Sequence, residues 1–265
     1  MGRYIHIMVK KMIYEKKFKD ILFFADAPLD YYPYRLRTYD KYMDKETKPY
    51  DYLIIDLGVY TYLVKNKEHR YPEKLERGMF CLSFELTEKE YVAVPDYPPI
   101  NFEFNKKIDY NNIELTIKNW LKFKEAKTKN CIFTIQFSEI MNHSIIKDEI
   151  NMYPEPPSKF LGLGGLCRIM GSLKEKEYMN YVMREIKRSF PNHFIHVWGA
   201  SIWHLNSMRK IGINSFDSAK WSRPVTRKLP NRSAKTKKES IQFFNAYIER
   251  IYNIEKNTKL SDFLR

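Results

Sequence analysis

Short apolar runs alternate with longer amphipathic segments along most of the 265 residues, and this alternation is the feature that most restricts the fold. The runs are nearly continuous in apolar residues, which is typical of parallel strands buried on both faces. A strand, a helix and another strand in succession predict a parallel sheet with helical crossovers. The predicted strands are "ILFFAD" (21–26), "YLIID" (52–56), "YVAVPD" (91–96), "CIFTIQ" (131–136), "FLGLGG" (160–165), "FIHVWG" (194–199) and "INSFDS" (213–218).

The segments between these runs have helical spacing, most clearly 111–126, 174–189, 202–211 and 238–254. In 174–189, the residues Tyr178, Tyr181, Val182 and Ile186 form one apolar stripe, and Lys and Glu occupy the other face. An eighth strand is predicted in 1–9 or near 224–229. We therefore expect a (β/α)8 TIM-type barrel that forms a single domain over 1–265, with a doubly wound open sheet as the alternative.

The charge of the chain favours a polyanionic partner. Forty-six Lys and Arg against 32 Asp and Glu give a formal net charge of +14, and an excess of this kind favours nucleic acid, although a merely basic surface would also produce it. The segment 220–238 contains eight basic residues and no acidic one. Its candidate nucleic-acid-binding residues are Lys220, Arg223, Arg227, Lys228 and Arg232.

Cysteine usage and hydropathy predict a cytoplasmic protein. Cys81, Cys131 and Cys167 are too few and too scattered for a disulfide framework, which indicates a reducing compartment. The longest apolar stretches fall far short of the ~20 residues that a membrane span requires, so no membrane partner is expected. The N-terminus lacks the features of a signal peptide.

Polar residues and glycines stand at the ends of the predicted strands. In a barrel, the loops after the C-terminal strand ends form one face and carry the chemistry, so these residues should converge. The alternative for each Asp is that it caps the following helix. The residues are Asp56, Asp96, Gln136, Gly164, Gly165, Gly199 and Asp217.

Several familiar sites are excluded. "GLGGLC" at 162–167 has Cys167 where a dinucleotide fingerprint needs its third Gly, and no phosphate-binding P-loop motif occurs. The isolated cysteines, with His193 and His196 in a strand region, offer no tetrahedral zinc set. No "GxSxG" elbow supports a Ser nucleophile. The kind of site that these exclusions leave is one that uses carboxylates, beside a Gly-rich turn and a basic segment.

The motifs "FLGLGGLCRIMG" and "HFIHVWGASIWHLNSMRKIGINSFDSAKW" resemble the tRNA-guanine transglycosylase superfamily. That family has a "GGL" turn, an "HxxG" strand and an "FD[SC]" strand end in the same order. Upstream, "LIIDLGVYTYL" is similar to the family's "DSGGFQ" segment, "VPDYPP" to its base-binding Asp loop, and Gln136 to its "QG" strand end. The resemblance covers about residues 50–225.

The resemblance implies roles for individual residues. Asp217 matches the nucleophile that attacks the anomeric carbon of the target guanosine, and Asp56 matches the general acid/base. Asp96 and Gln136 match groups that read the edge of the guanine or deazaguanine. Gly165, which follows Gly164 in the turn, matches the Gly whose backbone N–H meets the base carbonyl.

The departures from the family pattern narrow the choice of substrate. "DLGVYT" at 56–61 lacks the second Gly and the Phe of "DSGGFQ", the family's CxCxxC...H zinc set is missing, and little sequence follows the predicted barrel. The chain therefore looks more like the phage-type DNA 7-deazaguanine transglycosylases, which would place it in the host's cytoplasm. We expect exchange of guanine in DNA for a 7-deazaguanine such as the 7-cyano form, without zinc or another cofactor.

Two alternatives stay open: a tRNA-guanine transglycosylase of the queuosine or archaeosine type, and a catalytically inactive nucleic-acid-binding partner subunit. Three aromatic residues, Tyr97, Phe137 and Trp198, are candidates for stacking on a flipped base, with barrel packing as their alternative role. His196 lies two residues before Trp198 and is expected to support the site rather than to perform chemistry.

Overall fold

Eight parallel strands form the inner wall of the molecule. The computed structural model describes residues 7, 10–11, 14, 20–43, 48–58, 63, 70–99, 110–137, 142–166, 173–222 and 233–263, with side chains up to residue 254. Their order in the sheet is β1-β8-β7-β6-β5-β4-β3-β2. The strands are β1 (Leu22–Phe24), β2 (Tyr34–Thr38), β3 (Tyr52–Asp56), β4 (Glu90–Ala93), β5 (Cys131–Gln136), β6 (Phe160–Gly164), β7 (Phe194–Val197) and β8 (Ser215–Asp217).

The two edge strands of this order meet and close the barrel. The Ala25 N–H donates to the Tyr34 carbonyl at 3.1 Å, and the Leu36 N–H donates to the Ala25 carbonyl at 3.0 Å. These bonds form a parallel bridge between Ala25 and Arg35. The predicted (β/α)8 barrel is confirmed, and the open doubly wound sheet is wrong.

Helices cover the outside of the barrel. The stripe predicted for 174–189 accounts for the packing of one of them, because Tyr178, Val182 and Ile186 are fully buried. The helices are α1 (Tyr39–Met43), α2 (Glu73–Leu82), α3 (Tyr110–Glu125), α4 (Ile146–Asn151), α5 (Leu173–Ser189), α6 (Leu205–Ile211) and α7 (Lys237–Phe263), with 3-10 turns at His143–Ile145, Ile202–His204 and Ala219–Ser222. Among the described residues, none of these helices has the length and apolar character needed to cross a bilayer.

The eighth strand of the barrel is β2, and not a segment in 1–9 or near 224–229 as predicted. Apart from Ile7, those two segments lie outside the described residues. Its sequence "YRLRT" carries two arginines, and such a pattern does not indicate a buried strand. Arg35 is nevertheless fully buried. Its guanidinium donates to the carbonyls of Leu29 at 2.6 Å, Ala27 at 3.2 Å and Pro49 at 3.3 Å. These backbone acceptors satisfy the buried donors, so the strand tolerates the charge.

Strand alternation decides which side chains enter the barrel. Phe216 packs outward against Phe23, with ring centroids 5.0 Å apart. Its neighbours Ser215 and Asp217 therefore point into the barrel. Asp217 and Asp56 are the last residues of β8 and β3, so both lie at the C-terminal mouth. Asp96 lies three residues beyond β4, which is shorter than the predicted strand 91–96.

Candidate active site at the barrel mouth

Three carboxyl groups interact electrostatically at the mouth of the barrel. Burial and the negative charge of Asp217 together raise the pKa of Asp56 to about 6, against the opposing effect of hydrogen bonds from Gly58 and Leu57. The charge of Asp56 likewise contributes to a raised pKa at Asp96. The structure thus brings together the three carboxylates that the sequence predicted at strand ends. Carboxyl groups with perturbed pKa values in one cleft are typical of catalytic sites.

Asp217 is held by one of its two oxygens. Its Oδ1 accepts from the Gly199 N–H at 2.7 Å and lies 3.3 Å from His196 Nε2. The Oδ2 atom has no hydrogen-bond partner among the described residues, and the side chain is 14% exposed. The carboxylate is therefore fixed in orientation and has one oxygen left for a ligand. Such an arrangement suits a nucleophile.

His196 supports Asp217 from inside the barrel. The ring is 1% exposed, and its Nδ1 lies 2.9 Å from the Ser215 hydroxyl. When that hydroxyl donates to Nδ1, the neutral ring carries its proton on Nε2 and donates it to Asp217. The ring also packs edge-on against Trp198, with centroids 4.3 Å apart. These contacts agree with the supporting role predicted for His196.

Asp56 is positioned by the turn that follows β3. The Gly58 N–H donates to Asp56 Oδ2 at 3.0 Å. Gly58 has a φ of 77°, a conformation that favours glycine. Asp56 is only partly buried. At a pKa of about 6, the group exchanges its proton near neutral pH, as a general acid/base requires.

Asp96 and Gln136 form a buried polar pair. The Gln136 amide donates to Asp96 Oδ2, and the two residues are 5% exposed or less. Burial raises the pKa of Asp96 to about 7, although the Gln136 hydrogen bond opposes this effect. Gln136 Oε1 is buried and has no hydrogen-bond partner within the described part of the chain. An unsatisfied acceptor beside a protonatable carboxyl is a costly arrangement that a ligand with N–H groups would relieve.

Two glycines at the end of β6 leave room for this pair. A Cβ atom on Gly164 would lie 2.6 Å from the Gln136 side-chain amide, and one on Gly165 would lie 2.1 Å from the Phe137 carbonyl oxygen. Gly165 also has a φ of 79°. Position 165 therefore needs glycine, whereas a side chain at position 164 would displace the Gln136 amide from its place.

The three predicted stacking residues differ in their placement. Phe137 is fully buried and Tyr97 is 2% exposed, and the Tyr97 hydroxyl donates to Glu76 at 2.5 Å. Both rings are therefore covered by other parts of the protein, as their alternative packing role requires. Trp198 is partly buried and donates from Nε1 to Thr134 at 3.0 Å. It lies beside His196 at the mouth of the barrel, where its exposed part can contact a ligand.

The basic segment is described only in part. Lys220 lies in the 3-10 turn Ala219–Ser222, three residues after Asp217. Arg223, Arg227, Lys228 and Arg232 lie outside the described residues, as does Cys167. Among the residues that the structure describes, no cluster of three or more His, Cys, Asp or Glu side chains could hold a metal ion.

Two contacts at the site escaped sequence reasoning. Tyr71 is buried and donates to the Asp96 carbonyl at 3.1 Å, and the link between His196 and Asp217 joins two strands 21 positions apart. The "HVWG" motif gave the only signal for the second contact, since His196 and Trp198 alternate onto one strand face.

The raised pKa of Asp96 predicts a pH-dependent stability. Because the folded-state pKa of about 7 exceeds the ordinary value of 3.8, ionisation costs folding free energy as the pH rises from 4 through 7. Asp96→Asn removes this cost and gives Gln136 Oε1 a donor. We expect the variant to be more stable than the wild type by about 2–4 kcal/mol at pH 8 and equally stable at pH 4.

Urea unfolding at the two pH values measures this difference. The exposed Asp148→Asn is the matched control and should behave as the wild type at both pH values. Equal stability of Asp96→Asn and the wild type at pH 8 would show that Asp96 is not strained by its burial.

No family model matches the chain, and no curated protein matches it. Among solved structures, it is similar to CdNal from Clostridium difficile in complex with mannosamine, with 14% sequence identity and a TM-score of 0.32. The match covers 79% of this chain and 66% of that one, so the chain spans just under two thirds of that protein. A likeness at this level says nothing about the chemistry of this chain.

Proposed function

We propose that the chain is a base-exchange transglycosylase that replaces guanine in DNA with a 7-deazaguanine through a covalent intermediate on Asp217. The observation that carries this proposal is the electrostatic coupling of Asp56 with Asp217 and Asp96 at the barrel mouth. The resemblance of "GGL", "HVWG" and "SFDS" to the transglycosylase motifs supports the same reading. The formal net charge of +14 suits a polyanionic substrate.

In the first step, Asp217 Oδ2 attacks the anomeric carbon of the target deoxyguanosine. The bond from that carbon to N9 breaks, its electron pair passes to the base, and the proton of Asp56 neutralises the departing guanine. A glycosyl ester on Asp217 remains. The hydrogen bonds of Gly199 and His196 to Oδ1 keep Oδ2 directed at the mouth. This division into two displacements replaces one difficult exchange with two easier steps.

In the second step, a 7-deazaguanine occupies the place of the guanine. Asp56, now ionised, takes the proton from its N9, and the nitrogen attacks the anomeric carbon and releases Asp217. One carboxyl thus serves as acid and then as base, which a pKa of about 6 permits near neutral pH.

The Asp96 and Gln136 pair recognises the base in both steps. Guanine and its 7-deaza analogues carry N–H donors on the Watson–Crick edge, and these match the carboxylate of Asp96 and the unpartnered Oε1 of Gln136. The base must leave its duplex to reach this buried pair, so the reaction needs base flipping or a single strand.

Incorporation of labelled base tests the proposal. Labelled guanine or 7-cyano-7-deazaguanine is incubated with the chain and with DNA or tRNA, at matched guanine concentration and salt. We expect label in DNA and none in tRNA. The salt must be fixed because non-specific binding falls steeply as salt rises.

The other outcomes are equally informative. Label in tRNA alone would contradict DNA as the substrate and retain the chemistry. Label in neither acceptor would contradict the exchange reaction, and if both acceptors bind it would favour an inactive binding partner.

A further inference from the structure

An exposed tryptophan stands at the same end of the barrel as the carboxylates. Trp203 is 65% exposed, whereas its neighbours Ile202 and His204 are 4% and 3% exposed. All three form the 3-10 turn that follows β7 and precedes α6. The buried neighbours anchor the turn, so the indole is held outward on a fixed backbone.

Cations from two helices lie against this indole. The Arg250 guanidinium of α7 lies 4.5 Å from the ring centroid, and the Lys176 ammonium of α5 lies 5.8 Å from it. Burial and the charges of Lys176 and Lys220 together lower the pKa of His204 to about 4. His204 is therefore neutral at pH 7, and both lysines lie within electrostatic reach of the turn. We call Trp203, Lys176, Arg250 and Lys220 the Trp203 patch.

The Trp203 patch borders the proposed active site. The loop that carries Trp203 begins at Trp198 and Gly199, and Gly199 binds Asp217. The pKa of Tyr247 is raised to about 12, mainly by burial; the charge of Asp217 contributes to this rise, and the charge of Arg250 opposes it. Tyr247 thus lies within electrostatic reach of both the nucleophile and the patch. Lys220 follows Asp217 by three residues.

We propose that the Trp203 patch binds the nucleic-acid strand that carries the target guanosine. A base next to the target stacks on Trp203, and Lys176, Arg250 and Lys220 contact the phosphates beside it. An exposed aromatic ring among cations is the combination that holds single strands without sequence preference. This inference rests on the proposed function, because it identifies where that substrate is held.

The chain offers a matched control at the opposite end of the barrel. Phe84 is 58% exposed and follows α2 just before β4, at the N-terminal strand ends. It packs edge-on against Phe80 at 5.3 Å, and Lys122 lies 4.3 Å from the Phe80 ring centroid. Phe84→Ala therefore removes an exposed aromatic ring, packed on a ring that contacts a cation, far from the carboxylates.

Fluorescence anisotropy with a labelled 20-nucleotide DNA strand tests the inference. Trp203→Ala should weaken binding by about tenfold, Trp203→Phe by less, and Phe84→Ala should leave binding unchanged. A strand of the same length made of abasic sugar-phosphate units separates stacking from charge. Trp203→Ala should bind it as the wild type does, whereas Arg250→Ala should weaken binding to both strands and reduce the salt slope by about one.

The result that overturns the inference is equal affinity of Trp203→Ala and wild type for the base-containing strand. An equal loss on the abasic strand also overturns it, because stacking would then not be involved. Binding of the wild type to anionic vesicles but not to DNA would overturn it in favour of a lipid surface.

Exchange activity, measured on the same wild-type preparation, separates the two proposals. Normal exchange with binding that does not depend on Trp203 contradicts the Trp203 patch alone. Binding that depends on Trp203 without exchange into any acceptor supports the patch and contradicts the proposed function.

Discussion

Replacing Asp217 with Asn is expected to abolish base exchange, by a factor of about 10⁴ or more. The amide oxygen of Asn can still accept from the Gly199 N–H and from His196 Nε2, which hold Oδ1 in the wild type. The fold of the mouth should therefore persist. The amide lacks the charge that attacks the anomeric carbon, so no glycosyl ester forms and the exchange stops at its first step.

Two measurements check this result. Denaturing electrophoresis with a labelled guanosine-bearing strand should show a covalent adduct with the wild type and none with Asp217→Asn, and single-turnover exchange should show the corresponding loss of rate. Asp26→Asn is the control, because Asp26 follows β1 at the same mouth but pairs with Lys41 at 2.5 Å. Substantial exchange by Asp217→Asn would contradict the nucleophile and with it the proposed function.

The strand ends that carry the site could be predicted because of how parallel strands are buried. Strands covered on both faces read as continuous apolar runs, and a polar residue that ends such a run marks the rim. Asp56, Gln136 and Asp217 are indeed the last residues of β3, β5 and β8. Asp96 lies at the predicted rim although its strand ends at Ala93, because a loop at a strand end opens to the same face.

The features that escaped prediction depend on contacts between distant residues. The sequence did not predict β2, because a buried strand is not expected to carry Arg35. The carbonyls that accept from its guanidinium come from the loop before β2 and from Pro49, and no local pattern indicates them. The bond between His196 and Asp217 follows from the register of β7 on β8. The Trp203 patch joins side chains of α5, α7 and two turns, which only the closed barrel brings together.

Asp56→Asn is expected to slow exchange by about 10²–10⁴-fold, the usual contribution of a general acid or base. Burial and the Asp217 charge raise the pKa of Asp56 to about 6. Adduct formation needs the protonated acid, so its rate should fall as the pH rises above about 6. Adduct breakdown by an incoming base needs the ionised form, so its rate should rise with pH and then level off. This rise should lie below pH 6, because the ester removes the Asp217 charge that raises the pKa of Asp56 in the free protein.

Rapid-mixing measurements between pH 5 and pH 8 check the opposite pH dependences of adduct formation and adduct breakdown. In Asp56→Asn both rates should lose their dependence on pH, since the amide can neither give nor take a proton. Asp26→Asn should keep the pH dependence of both rates. If the Asp56 variant still showed a pH-dependent rate, the acid would be Asp96, the other carboxyl with a raised pKa. Its pKa of about 7 would place the change in rate about one pH unit higher. The pH at which the rate changes therefore identifies which of the two carboxyls moves the proton, independently of how much rate each variant loses.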